Sequence, residues 1–440
     1  MMAALVALAG RLERRSSGLL ALVKLANVGL AMAWGFVVTF VFVRLLPIGE
    51  FRSFLLLVAF ANFTVSAELG LCAIAYSRLR RGRVVGEGGF HPSEITALLW
   101  LLAGIVLAGA LLIGGAIALG LIRTRYPALF LTFYAANAVN LVAVLARRAL
   151  AALDHNLWWE VLDCLRRGIG IALLLASLIW LPILESVLAQ FVLALLLLWA
   201  GLATIHASLA MRARDWMAWR SGAAHVRAHY LDDFWRTGAL TIFDVTAYNA
   251  PYFTIVAATP DPRPLLLFDF VFKMSRALSS VIRALIETML PGLTRAWFGR
   301  ERATFRKGLA RATLLTFGVA LGGIVVLMLL GRPLAHAIFD GHAVPTHAEL
   351  AAMALLQLGL WLMCVSVYLQ NGLGRFGALV GPSFLFLIGS LASVPLSVLL
   401  AARFGWPAAL TFLALYALVH GIMGAIHARM LLRLDPEARA

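Results

Sequence analysis

The run GIGIALLLASLIWLPILESVLAQFVLALLLLWAGLATIHASLA, residues 168–210, decides the architecture. As one helix it would be roughly 65 Å long at about 1.5 Å per residue, about twice the hydrocarbon thickness of a bilayer. Its only interruption is Pro182 with Glu185, so it reads as two membrane spans, roughly 168–184 and 186–209, joined by a tight external turn.

Applied outward from there, the same length criterion places ten further spans. They lie at roughly 23–43, 52–76, 95–120, 127–146, 238–258, 264–290, 312–331, 349–369, 379–402 and 407–427. Twelve spans put both chain ends on one side. The basic residues agree with an even number: Arg78, Arg80, Arg147, Arg148, Arg212, Arg214, Arg300, Arg302, Arg429 and Arg433 all fall on the side assigned to the cytoplasm. An odd number would carry the later clusters outside.

Composition excludes the soluble classes. Of 440 residues, 62% are hydrophobic and 13% charged, against about 45–50% and about 25% in an ordinary soluble domain. The polar residues are too few to cover a soluble exterior. The net charge of +16 is therefore read as membrane topology and contact with anionic lipid headgroups rather than nucleic-acid binding. Cys72, Cys164 and Cys364 lie in or beside apolar stretches and imply no disulfide framework. The opening segment Met1–Gly10 lacks a basic leader and is followed by Arg11, Glu13, Arg14 and Arg15, so it is expected to be a surface segment, not a signal peptide.

The longest polar connection, 211–236, carries Trp216, Trp219 and Trp235, aromatics suited to a membrane interface. It separates an N-terminal six-helix lobe, 1–210, from a C-terminal one, 237–440. Both halves begin in the cytoplasm, as parallel repeats do. VAVLARRAL (Val142–Leu150) and VSVYLQNGL (Val365–Leu373) give a faint internal echo.

Chemistry concentrates in PLLLFDFVFKMSRALSSVIRALIETMLP, residues 264–291. At about 100° per residue, Asp269, Lys273, Arg276, Arg283 and Glu287 share one face within roughly 80°. Facing lipid, the three deepest charges would cost on the order of 8–10 kcal/mol, so the stripe must face protein or water. Two readings stand. Asp269 and Lys273 could form an internal pair, with Arg276 neutralised elsewhere, merely fixing helix packing. Alternatively the stripe lines a hydrated pathway whose positive wall attracts an anion, with Lys273, Arg276, Arg283 and Asp269 as its binding residues. Arg283 and Glu287, nearer the cytoplasmic end, could simply snorkel or pair.

Glu68 and Asp244 are embedded acids, candidates for a coupling proton or sodium ion or for pairing with Lys24 and Arg78. Asn137 and Asn140 could line a cavity or act as interhelical glue. The ten histidines show no metal spacing, no Gly-Lys-Ser/Thr phosphate loop occurs, and no soluble catalytic domain is present. No resident cofactor or metal is implied, and the chain does not read as an enzyme.

The stretch FVRLLPIGEFRSFLLLVAFANFTVSAELGLCAIAYSRLRR, residues 42–81, resembles the opening of polysaccharide transporters of the Wzx flippase type. Arg44 and Gly49–Phe51 match the turn that ends the family's first span, and Glu68–Leu71 match its acidic-Leu-Gly-Leu signature. DFVFKMSRALSSVIRALIETMLPGLTRAW, residues 269–297, is similar to the family's second-half segment, and Asp244 sits where the family often carries an acid. The family belongs to the multidrug/oligosaccharidyl-lipid/polysaccharide exporter superfamily. The resemblance implies an all-α polytopic protein of two six-helix lobes around a central cavity. It further implies a bacterial inner-membrane flippase for undecaprenyl-diphosphate-linked oligosaccharide, as in O-antigen lipopolysaccharide synthesis, with polysaccharide assembly proteins as partners. A cation-coupled drug or metabolite antiporter of the same superfamily is the alternative, with a carboxylate-dominated cavity. A glycan-modifying membrane enzyme is a third, disfavoured by short external loops.

Overall fold

The computed structural model describes residues 17–85 and 90–435; the segment Met1–Gly10 lies outside them. No strand occurs among the described residues. The helices are α1 (Ser17–Leu45), α2 (Ile48–Ser66), α3 (Leu71–Val85), α4 (Pro92–Ala118), α5 (Pro127–Ala152), α6 (Asn156–Ala176), α7 (Ile183–Ser208) and α8 (Ala213–Met217). They continue with α9 (Trp219–Ala258), α10 (Arg263–Phe298), α11 (Arg302–Phe339), α12 (His347–Gly372), α13 (Gly377–Phe404) and α14 (Ala408–Leu432). A chain that crosses lipid must satisfy its backbone polar groups internally, which helices do.

Local chemistry sets the ends. Pro92 and Pro127 occupy first-turn positions where no intrahelical N–H is needed. At the start of α12, Thr346 accepts from the Glu349 N–H at 3.2 Å while Glu349 accepts from the Thr346 N–H at 2.7 Å, a reciprocal cap. The turn expected at Pro182 is present: α6 closes at Ala176 and α7 opens on Pro182.

Nine segments among the described residues are long and apolar enough to cross a membrane. The expected spans in α6, α9 and α10 are not among them. Glu160, Asp163, Arg166 and Arg167 make α6 too polar; Asp244 with Thr, Tyr and Asn does so for α9, and the ionic stripe for α10. The span expected at 52–76 falls within one of those nine segments, Ile48–Arg80. It is broken at residues 67–70, where Leu69 (φ 48) and Gly70 (φ 84) leave the helical region, separating α2 from α3.

The chain divides into two compact units, Met1–Ile242 and Phe243–Ala440. Residues 211–236, expected as a separate linker, form α8 and the first half of α9 and belong to the first unit. There Glu94, fully buried, receives a paired contact from Arg78 (3.0 and 3.1 Å) and the Tyr230 hydroxyl (2.9 Å), fastening α9 to α3 and α4. The core of the first unit packs α5 against α7 and α1 against α6, with Phe42 stacked on Phe54 at 4.0 Å. Outward leucines such as Leu112 (66% exposed) and Leu329 (73%) are the lipid-compatible surface.

In the second unit α12 and α14 approach to backbone contact. A methyl group on Gly359 would lie 2.3 Å from the His420 carbonyl oxygen, and one on Gly424 3.0 Å from Gly359 Cα. Small residues permit this approach, and in lipid such packing replaces the missing hydrophobic force. Gly359→Val is therefore expected to destabilise the detergent-solubilised protein by about 3 kcal/mol, read as a lowered thermal midpoint. Gly318→Ala, with nothing within 4 Å, should leave the midpoint in place.

Candidate functional site

In the second unit, the ionic stripe of α10 resolves into three different situations. Asp269 is 1% exposed; it accepts from the Tyr252 hydroxyl of α9 at 2.7 Å and pairs with Lys273 one turn on. Arg283 and Glu287 pair at 2.7 Å, both more than half exposed, with the Arg283 guanidinium over the Tyr368 ring at 5.9 Å. Arg276 is different. Its side chain is exposed, lies over the Phe272 ring at 5.6 Å, and has no carboxylate partner among the described residues. The first half of the packing reading, an Asp269–Lys273 pair, is thus present. Its second half, a carboxylate for Arg276, is absent among those residues.

Asp244 is also exposed, and no hydrogen bond or ion pair engages it among the described residues. It lies in a tyrosine-rich part of the second unit, where Tyr248 packs edge-on to Phe386 at 5.1 Å and near His420 at 6.3 Å. Glu68 sits in the break between α2 and α3, and its carboxylate accepts from the Cys72 N–H at 2.9 Å. This satisfies one of the orphan donors at the start of α3. Arg78, weighed as a partner for Glu68, pairs with Glu94 instead.

A second polar cluster lies in the first unit. Glu160 accepts from Arg147 Nε and Nη2 (3.0 and 2.6 Å) and from Asn27 Nδ2 (2.7 Å). Asp163 accepts from Arg166 Nε and Nη2 (3.0 and 2.7 Å), Arg167 Nε (2.9 Å) and Asn27 Nδ2 (3.0 Å). Beside it is a cavity of about 60 Å³ lined by Trp34, Phe133, Asn137, Asn140, Arg166, Arg167 and Gln190, among others. Asn137 and Asn140 line it, and each donates to a carbonyl of its own helix (2.9 and 3.0 Å); among the described residues the interhelical bonds weighed for them are not made.

Basic residues beside spans, Arg147 among them, read in the sequence as markers of orientation, and Glu160, Asp163 and Glu94 carry no role there. A signal was available: Glu160, Asp163 and Arg167 fall at i, i+3 and i+7, two carboxylates and a guanidinium on one helical face. Tyr252 had no such signal, because its partner Asp269 lies on another helix.

No family model matches the sequence, and no curated protein matches it. Solved structures do share the fold. The eukaryotic MATE transporter AtDTX14 superposes with a TM-score of 0.66 at 12% identity, over 98% of each chain. Lipid II flippase MurJ, in an inward closed conformation, gives 0.62 at 13% identity over 95% of this chain and 88% of its own. An inward-facing multidrug resistance MATE family transporter of the MOP superfamily gives 0.60 at 14%, over 94% and 99%. At such identities the likeness is one of fold, an all-helical polytopic membrane fold.

The Asp269–Lys273 pair has a testable energetic signature. Asp269→Asn strands a buried ammonium and is expected to cost about 3–5 kcal/mol, whereas the double change Asp269→Leu with Lys273→Met should recover most of that loss. Thermal unfolding of the purified proteins measures both.

Proposed function

We propose that the protein is a flippase that carries an undecaprenyl-diphosphate-linked oligosaccharide from the cytoplasmic to the periplasmic leaflet of a bacterial inner membrane by alternating access. Both termini are cytoplasmic in this reading, and O-antigen or a related surface polysaccharide is the end product. The observation that carries it is Arg276, an accessible cation without a carboxylate partner among the described residues, on a helix whose neighbouring charges are paired. A diphosphate crossing the membrane must shed hydration. A guanidinium replaces that water with paired, charge-assisted hydrogen bonds.

Within the stripe the roles separate. Asp269 and Tyr252 hold Lys273 in place, so the ammonium adds positive potential beside Arg276 while its own desolvation is offset. Arg283, tied to Glu287 on an exposed part of the helix, is placed for a first encounter with an anionic headgroup rather than for holding it. The MurJ fold supports a lipid-linked cargo in that a flippase of lipid II is built on the same helices.

One observation favours a second reading. Asp244, exposed and without a partner among the described residues, is the type of group that binds a proton, sodium ion or cationic drug, and MATE transporters share this fold. In the flippase reading Asp244 serves as the coupling-ion site; in the antiporter reading it meets cargo. Glu68, engaged by the Cys72 amide, is the weaker coupling candidate.

Arg276→Gln at unchanged protein level is expected to reduce the appearance of lipid-linked glycan on the outer leaflet of spheroplasts at least about tenfold, the loss of roughly one charged hydrogen-bond pair. Resistance to cationic drugs should not change. Undiminished glycan export together with drug accumulation in Asp244→Asn cells would favour the antiporter.

A further inference from the structure

The first unit contains a charge imbalance that neither its helix packing nor the proposed transport uses. Three guanidiniums, Arg147, Arg166 and Arg167, converge on two carboxylates, Glu160 and Asp163. Glu160 and Asp163 are 0% and 5% exposed. Arg166 and Arg167 line the cavity of about 60 Å³, and among the described residues Arg166 Nη1 and both terminal nitrogens of Arg167 have no protein acceptor.

Gln190 adds to the donor excess. The Trp34 indole N–H can only donate, and it donates to Gln190 Oε1 at 3.3 Å. That fixes the amide orientation and leaves Gln190 Nε2 a buried donor with no partner. A cavity with surplus positive charge and unanswered donors, in an apolar helical bundle, calls for an anion.

Its size selects the class. Holding one water takes about 10–15 Å³ in the same measure, so the space accepts a small ion with a few waters and excludes a sugar ring or a nucleotide. We propose that this cavity is a binding site for one small monovalent anion of the halide class, held by Arg166, Arg167 and the Gln190 amide. The anion completes the neutralisation of the α6 cluster and fastens α6 to α1, α5 and α7. The site does not depend on the flippase reading, since it lies wholly in the first unit and needs no lipid cargo.

Equilibrium binding of radiolabelled chloride to the purified full-length protein, at constant ionic strength with gluconate as replacement, tests it. The expected result is saturable binding of about one chloride per chain, displaced by bromide, with Arg167→Gln weakening it at least about tenfold. Arg167→Gln could also unsettle Asp163, so a second variant avoids the ion cluster. Asn137→Leu fills the cavity while giving up only a bond to its own helix, and it should abolish chloride binding with the thermal midpoint in gluconate retained. Absence of saturable chloride binding in the wild-type protein, or binding unchanged in both variants, would overturn the proposal.

Discussion

A charge inside a membrane protein must be paired or wet, and this rule organises the molecule. Among the described residues, nine segments are long and apolar enough to cross lipid as ordinary helices. Three more, α6, α9 and α10, carry charges that would cost several kcal/mol each in hydrocarbon and so turn them toward protein or water. The two units settle the cost differently. In the first, two buried carboxylates gather three arginines around Asn27. In the second, one buried carboxylate satisfies one lysine and one tyrosine, and the next cation along the helix is left accessible.

That difference gives the units different chemical characters. The α6 cluster is closed on itself apart from a small donor-rich cavity, so its charges act locally. The α10 stripe presents Arg276 outward, and an accessible guanidinium is a recognition element for phosphate. The lipid-compatible surface, the paired stripe and the unpaired cation are all consequences of where the sequence places polar residues along apolar helices.

Much of the fold was legible because membrane spans are written in long, local patterns. The division at Pro182 and the helices at 349–369 and 379–402 follow from apolar run length. The break at residues 67–70 was less legible: Ala67–Leu71 is apolar apart from Glu68, and only the backbone shows Leu69 in a left-handed conformation with Glu68 capping the next helix. The one-faced stripe of α10 was visible from helical periodicity alone. Which of its charges pair was not, since Tyr252 and Asp269 meet across two helices. The Arg166–Arg167 cavity was hidden for another reason. Basic residues at span ends carry orientation, and the same residues can turn inward once a carboxylate three or four positions back draws them.

The central requirement is that Arg276 meets an anionic lipid headgroup in a water-accessible part of the second unit. In a background with Cys72, Cys164 and Cys364 replaced, Arg276→Cys should be modified by a membrane-impermeant methanethiosulfonate in inverted vesicles. Added undecaprenyl diphosphate should slow that modification severalfold, whereas neutral undecaprenol should not. A thiol at this position that stays unreactive in inverted and right-side-out vesicles alike, or that reacts at the same rate with and without the diphosphate, would contradict a transport pathway along α10.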